Sequence, residues 1–282
     1  MAHQQTAVIE HYGQADLANK IISALKATGK NINNLARSDL NMFDEFHIRG
    51  LEATKELAAL ANLKSKMKVL DLGSGIGGPA RFLADEYDCQ VIGLDIVSTY
   101  CQTAVLLTEM TGLSGNISFC QGDGIALPFK DSVFDTVWSQ HMTMNIADKN
   151  ELFQEIYRVL GNGGKYILYE ICEGTSPVKY YPVPWARDAS INHQISSEEM
   201  RRLLISCGFK ILDWRDVSSL SLKWLQEQRE NKRHMKSTSA LSLDLRMLMG
   251  KTMPQKIQNL IRNLAECKIG VIQGILQKEV LD

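Results

Sequence analysis

The chain has almost no charge imbalance. Lys and Arg number 31 and Asp and Glu 32, a formal net charge of −1 over 282 residues. No global field therefore draws it to nucleic acid or to an anionic membrane. It also lacks any C-x-x-C pair: Cys89, Cys101, Cys120, Cys172, Cys207 and Cys267 are scattered. That spacing argues against a zinc or other metal site and against a disulfide framework, and for reduced thiols in a cytoplasmic compartment. No apolar run reaches the roughly 20 residues of a membrane span. The opening Met-Ala-His-Gln-Gln-Thr has no basic segment followed by an apolar one, so neither a signal peptide nor a membrane partner is expected. Internal repeats and low-complexity linkers are missing too. What remains is enough chain for one sizeable core with an elaboration.

What is there centres on Lys68 to Gly78, Lys-Val-Leu-Asp-Leu-Gly-Ser-Gly-Ile-Gly-Gly. Val69, Leu70 and Leu72 read as a short buried strand. Gly73, Gly75, Gly77 and Gly78 form a turn that brings backbone close to a ligand, and Pro79 opens a helix where its missing N–H costs nothing. The spacing of Gly73, Gly75 and Gly78 also fits the dinucleotide pattern, so a nicotinamide-dependent oxidoreductase is a rival. Asp71 tilts the reading. A carboxylate just before the glycines suits a ligand carrying an ammonium and no pyrophosphate, which describes S-adenosyl-L-methionine.

Strands and helices then alternate. Gln90–Leu94 ends at Asp95, roughly 20 residues past the turn, where a carboxylate can hold ribose hydroxyls, with Ile96 beside it. Ser98 or Thr99 caps the next helix. Ile117–Gln121 leads to Asp123 and Gly124, and Asp123 can accept from an adenine amino group or be a plain turn residue. Phe134–Trp138 delivers Ser139, Gln140 and His141 to the crevice. Asp148 caps a helix through Leu160, and Gly161 to Gly164 turns into Lys165–Glu170. Phe209–Val217 and Lys268–Gln277 complete a Rossmann-like α/β fold, a seven-stranded, mostly parallel sheet with an antiparallel last strand. The domain expectation is a helical cap over 1–64, a ligand-binding core over 65–217, a helical insertion over 218–266 (cap or interface) and the last strand over 267–282. In the first segment Asp16 is expected to cap a helix that Gly29 stops. Phe43, Phe46, His47 and Arg49 form a cluster that either touches ligand or packs helices. The loop 173–195 carries Tyr180, Tyr181 and Trp185 and is too rich in aromatics to be disordered.

Asp71-Leu-Gly-Ser-Gly75, Asp95, Gln121-Gly-Asp123, Leu127-Pro-Phe129, Phe134-Asp-Thr-Val-Trp138 and Arg158-Val-Leu-Gly-Asn-Gly-Gly164 occur in order. Together they resemble Rossmann-type S-adenosylmethionine-dependent methyltransferases. Phe46-His-Ile-Arg-Gly50, Met144-Asn-Ile146, Tyr181-Pro-Val-Pro-Trp-Ala186 and Lys268-Ile-Gly-Val-Ile272 are similar to the sarcosine/dimethylglycine N-methyltransferase family, which makes glycine betaine. The resemblance implies a small-molecule amine acceptor and allows a homodimer. It implies cofactor contacts at Asp71, Gly73, Gly75, Gly77, Asp95, Ile96, Asp123, Gly124, Ser139 and Gln140, and an active-site cover at His11-Tyr12. His141 and His47 are the candidate proton acceptors. Phe46, Tyr180, Tyr181 and Trp185 can face a quaternary ammonium, and Arg49 or Arg187 a substrate carboxylate. An O- or C-methyltransferase of the same fold would keep the cofactor residues and change the pocket. A non-catalytic binding module would lose them.

Overall fold

A computed structural model of the chain describes residues 2–178, 180–234 and 250–279. Its centre is a seven-stranded sheet made of β1 Lys68–Leu72, β2 Gln90–Asp95, β3 Ile117–Gln121, β4 Phe134–Gln140, β5 Leu160–Glu173, β6 Phe209–Asp216 and β7 Ile269–Lys278. The order is β3-β2-β1-β4-β5-β7-β6. β7 runs antiparallel to β5 and β6, and the remaining pairs are parallel. From β1 the chain builds outward through β2 and β3 on one side and β4 and β5 on the other. The carboxyl ends of β1 and β4 therefore flank the crevice where doubly wound sheets bind ligands.

Strand alternation divides the core into two layers. Val69, Val91, Trp138 and Ile167 pack with Leu57 of α4 (Gly50–Ala61) and Phe82 of α5 (Gly78–Tyr87). Leu70, Val137 and Leu168 face the other way, onto Leu152, Phe153 and Ile156 of α7 (Lys149–Val159) and Leu204 of α8 (Ser197–Ser206). A third cluster joins Leu17, Ile21 and Leu25 of α2 (Leu17–Ala27) to Tyr100 and Leu107 of α6 (Ser98–Met110). Helix α1 (Ala2–Tyr12) precedes them, and a single turn, α3 (Asn41–Asp44), leads into α4. No described helix is long and apolar enough to cross a membrane.

Some local expectations hold and others give way to tertiary structure. Asp148 accepts from the Glu151 N–H at 3.0 Å, and Ser196 from that of Glu199 at 3.1 Å. Asp16 occupies the N-cap position of α2 at φ 63°, but its side chain bonds no backbone N–H there; its carboxylate accepts from Asn19. Neither Ser98 nor Thr99 caps α6: Val97 does, and its N–H is held by Asp95. The segment Gly161–Gly164 is not a free turn but part of β5, whose first residue, Leu160, already pairs with Phe134. In the insertion, α9 (Ser218–His234) and α10 (Met253–Ala265) are helical, while the apolar run Leu241–Met249 lies outside the described residues.

One ion pair ties the segment before α4 to the nucleotide-side helix. Arg81 of α5 and Asp44 approach to 2.5 Å with both side chains almost fully buried. Arg81 also donates to Ile76 O at 2.7 Å and Thr108 Oγ1 at 3.0 Å. Gly78 permits the approach, since a Cβ there would lie 2.1 Å from Asp44 O. Asp44→Ala leaves a buried guanidinium short of its anion and should cost about 3–5 kcal/mol of stability, read as a lower midpoint in urea unfolding.

Candidate active site

A cavity of about 740 Å³ opens at the carboxyl ends of β1 and β4, within the size range of ligand pockets. Its floor is the turn after β1. Gly73 and Gly75 adopt φ of 76° and 53°, which side chains rarely accept. The Gly73 and Ser74 N–H groups donate to Leu94 O at 2.8 and 3.1 Å. Asp95 then locks the turn from the β2 side: its two oxygens accept the N–H groups of Gly75 and Val97, each at 2.9 Å. Burial pushes its carboxyl above the usual range, against these backbone bonds.

Asp71 lines the same floor, only 2 % exposed. Its Oδ2 is buried with no hydrogen-bond partner, an arrangement that is costly unless a donor arrives. Burial, with the nearby Asp95 and Glu45 carboxylates, pushes it up to about 8. A ligand ammonium would supply both the missing donor and the missing positive charge. Open space lies in front of Gly75, where an added Cβ would meet nothing. These observations fit the aminoacyl end of S-adenosylmethionine. Asp95 and Ile96 line the next part of the wall, followed by Asp123 and Gly124. The Asp123 carboxylate accepts from Gln5 of α1 and from the Ile125 N–H, so an amide N–H₂ already occupies one of its oxygens. Tyr12 OH donates to Asn145 Oδ1 at 2.9 Å, and His11 Nε2 lies 2.9 Å from Pro184 O. Through these contacts α1 is fastened across the cavity.

Two histidines line the cavity. His141 follows β4 at φ 52°, a strained conformation for a non-glycine. Its ring stacks on Tyr169 at 5.1 Å and 8°, and its Nε2 is buried without a partner. Burial, and then His47, hold it well below the ordinary imidazole range, so it is neutral at pH 7. The His47 ring lies 6.0 Å away and is pushed down to about 4 by burial. Trp138 Nε1–H can only donate, and it does so to Gln140 Oε1 at 2.9 Å. That orients the Gln140 amide nitrogen toward His47 Nε2 at 3.0 Å. Nε2 must then accept, which rules out its donating to Gly50 O at a similar distance. Thr54 Oγ1 joins this network, donating to Glu45 Oε2 at 3.0 Å. Burial and Asp44 raise the Glu45 carboxyl to about 7.

Several sequence candidates fall elsewhere. Arg49 is buried, but its guanidinium is turned to Glu52 and Glu56 at 3.1 and 2.6 Å and does not line the cavity. Arg187 is solvent-exposed beside Asp188. Tyr180 stacks under Arg262 at 3.7 Å and bonds Glu266, and Tyr181 packs against the core outside the wall. Gly77 serves the turn itself, since a Cβ there would strike Phe119 and Arg81. Ser139 points into the core between Tyr166 OH and Glu170, each 2.9 Å away. Phe46 and Trp185 do line the cavity. The Trp185 indole N–H is committed to Asn192 Oδ1 at 2.7 Å. Residues the motifs did not single out include Gln5, Glu45, Ile257 and Leu260. Only the last two leave a readable signal, an i, i+3 apolar pair.

The raised Asp71 carboxyl has a measurable consequence. At pH 7 it is mostly protonated in the free protein, whereas an adjacent ammonium favours its ionised form. Binding of S-adenosylmethionine should release a proton. Affinity should rise as pH climbs from about 6 toward 8, by up to about tenfold per unit, and level off above. Calorimetry in buffers of different ionisation heat reads the released proton, and Asp71→Asn should abolish it.

Residues 70–168 match the family described as Methyltransferase domain. A sterol 24-C-methyltransferase of Aspergillus fumigatus is 39 % identical over 114 residues, 40 % of this chain and 30 % of that one. The chain thus spans about a third of the length of that relative. Phosphoethanolamine N-methyltransferase 2 of Haemonchus contortus, solved with S-adenosyl-L-methionine, superposes with a TM-score of 0.71 at 21 % identity, covering 84 % of this chain and 54 % of its own. A candidate sarcosine dimethylglycine methyltransferase from Galdieria sulphuraria gives 0.64 at 22 % identity, covering 83 % and 86 %. At such identities the structural likeness is one of fold. The matched segment spans the glycine turn, Asp95, Asp123 and His141, so this part of the chain is similar to a methyltransferase domain.

Proposed function

We propose that the chain methylates a neutral nucleophile on a small molecule, with His141 accepting the proton that the nucleophile loses. The observation that carries this reading is the buried, unpartnered Nε2 of His141 in the cavity wall, next in sequence to Met142, whose side chain packs against Gly73. Bound at Asp71, Asp95 and Asp123, S-adenosylmethionine supplies a methyl group on a positively charged sulfur, and its transfer to a lone pair leaves the C–S electrons on sulfur. The residues of the chain then have three tasks. The glycine turn and the carboxylates position the donor. Helix α1, fastened at Gln5, His11 and Tyr12, excludes water. His141, neutral at pH 7, takes the acceptor's proton, and its Tyr169 stack fixes the ring plane. His47 lies behind it, oriented by Gln140 and Trp138.

A small amine such as sarcosine or dimethylglycine is supported by the resemblance at Phe46–Gly50 and around Trp185. Against that reading, both guanidiniums expected to meet its carboxylate are turned away, Arg49 to glutamates and Arg187 to solvent. An O- or C-methyl acceptor needs no such cation. A nicotinamide dinucleotide would bring a pyrophosphate to the glycine turn and no ammonium for the unpartnered Asp71 Oδ2.

His141→Gln should lower kcat by about 10²–10⁴-fold while the dissociation constant for S-adenosylmethionine stays within about threefold. Single-turnover methyl transfer and calorimetry separate the two. Equal loss of cofactor binding would make His141 a structural residue.

A further inference from the structure

Beyond the two histidines the cavity changes character. Its far wall is built by the insertion: Trp224 and Leu225 of α9 with Ile257 and Leu260 of α10. Ile48, Met144, Ile171 and Trp185 complete it. The two helices are anchored rather than loosely apposed. Asn259 donates to Pro182 O at 3.0 Å, and Asn263 donates to Tyr180 O at 2.9 Å, which fixes α10 to the Trp185 loop. Ser221 of α9 lies 3.3 Å from the Tyr169 hydroxyl, on the ring that stacks against His141. The apolar wall therefore adjoins the candidate proton acceptor through Tyr169.

We infer that the methyl acceptor is an uncharged lipophilic molecule carrying a hydroxyl, whose apolar body lies against α9 and α10 while the hydroxyl meets His141. The inference rests on the methyltransferase reading and names its substrate class.

Charge supports it. Among the described residues lining the cavity, Lys149 is the one lysine or arginine. Its ammonium is held by the carbonyls of Ile146 and His193. Carboxylates are several, with Glu45, Asp71, Asp95, Asp123 and Glu199 all in the wall. A substrate carboxylate or phosphate would be desolvated there without a free partner and opposed by like charge. A hydroxyl needs only one acceptor, and His141 Nε2 is buried with no hydrogen-bond partner. The two tryptophans provide flat apolar surface for a ring. In the transfer step the hydroxyl oxygen forms the new bond to carbon, its proton passes to Nε2, and the electrons of the broken C–S bond stay with sulfur.

The test uses 4-methyl-, 4-propyl- and 4-pentylphenol beside sarcosine and dimethylglycine. Calorimetry first establishes binding of S-adenosylmethionine and S-adenosylhomocysteine to the full chain, and failure there removes the methyltransferase reading itself. With S-adenosylhomocysteine bound, phenol affinity should rise by about fourfold per added methylene. With S-adenosylmethionine bound, 4-pentylphenol should yield its methyl ether. Ile257→Gln and Trp224→Ala, both at half-buried positions, should flatten the chain-length dependence while cofactor affinity stays within about threefold. Normal cofactor binding combined with a flat phenol series, with bound phenol that is never methylated, or with faster turnover of sarcosine overturns the inference.

Discussion

The crevice depends on one carboxylate. Asp95, at the end of β2, accepts the Gly75 N–H on one oxygen and the Val97 N–H on the other. A single side chain thereby fixes the glycine turn after β1 and starts α6, joining two βα units at the ligand end of the sheet. Around it the protein gathers Asp71 and Glu45, both raised by burial and by neighbouring carboxylates. Such concentrated, partly unmet acceptor capacity is unfavourable for the free fold and favourable for a ligand rich in donors and positive charge. Catalytic preorganisation takes the same form, with polar groups aimed where a ligand's charge will be rather than at one another.

The parts of this arrangement that were legible in the sequence share a property: each is local. Val69 to Pro79 specifies strand, turn and helix within eleven residues, because glycine adopts the positive φ at positions 73 and 75 without steric cost. Asp148 and Ser196 announce their helices for the same reason. The antiparallel β7 is different: it is what the family resemblance implies, since a helical crossover ordinarily joins parallel strands. What could not be read depends on contacts between distant segments. Arg49 and His47 sit two residues apart in a cluster that looks uniformly suited to a ligand. Only the packing of α4 turns Arg49 to Glu56 and His47 to the cavity. Ser139 and Gln140 alternate on β4, so one faces the core and the other the crevice, and register against β5 decides which. Gln5 carries no motif at all, and its role on Asp123 spans 118 residues of sequence.

The acceptor end shows the same division. Trp224 and Leu225 stand out as apolar residues that must bury against something, as short helices are marginal alone. The sequence cannot say that Asn259 and Asn263 tie α10 to the backbone of the Tyr180–Trp185 loop. That tie withdraws Tyr180 from the cavity and leaves Trp185 in it. An insertion that reads as a cap or an interface thus supplies part of the wall of the cavity that His141 also lines.

The central claim is that the β1 turn, Asp71, Asp95 and Asp123 together bind S-adenosylmethionine. A crystal structure with S-adenosylhomocysteine tests it most directly. The account predicts the ligand ammonium within hydrogen-bond distance of Asp71, the ribose hydroxyls at Asp95, and the adenine amino group on Asp123 where the Gln5 amide now donates. A ligand bound elsewhere, or one that leaves the Asp71 carboxylate unpartnered and Gln5 on Asp123, would contradict it.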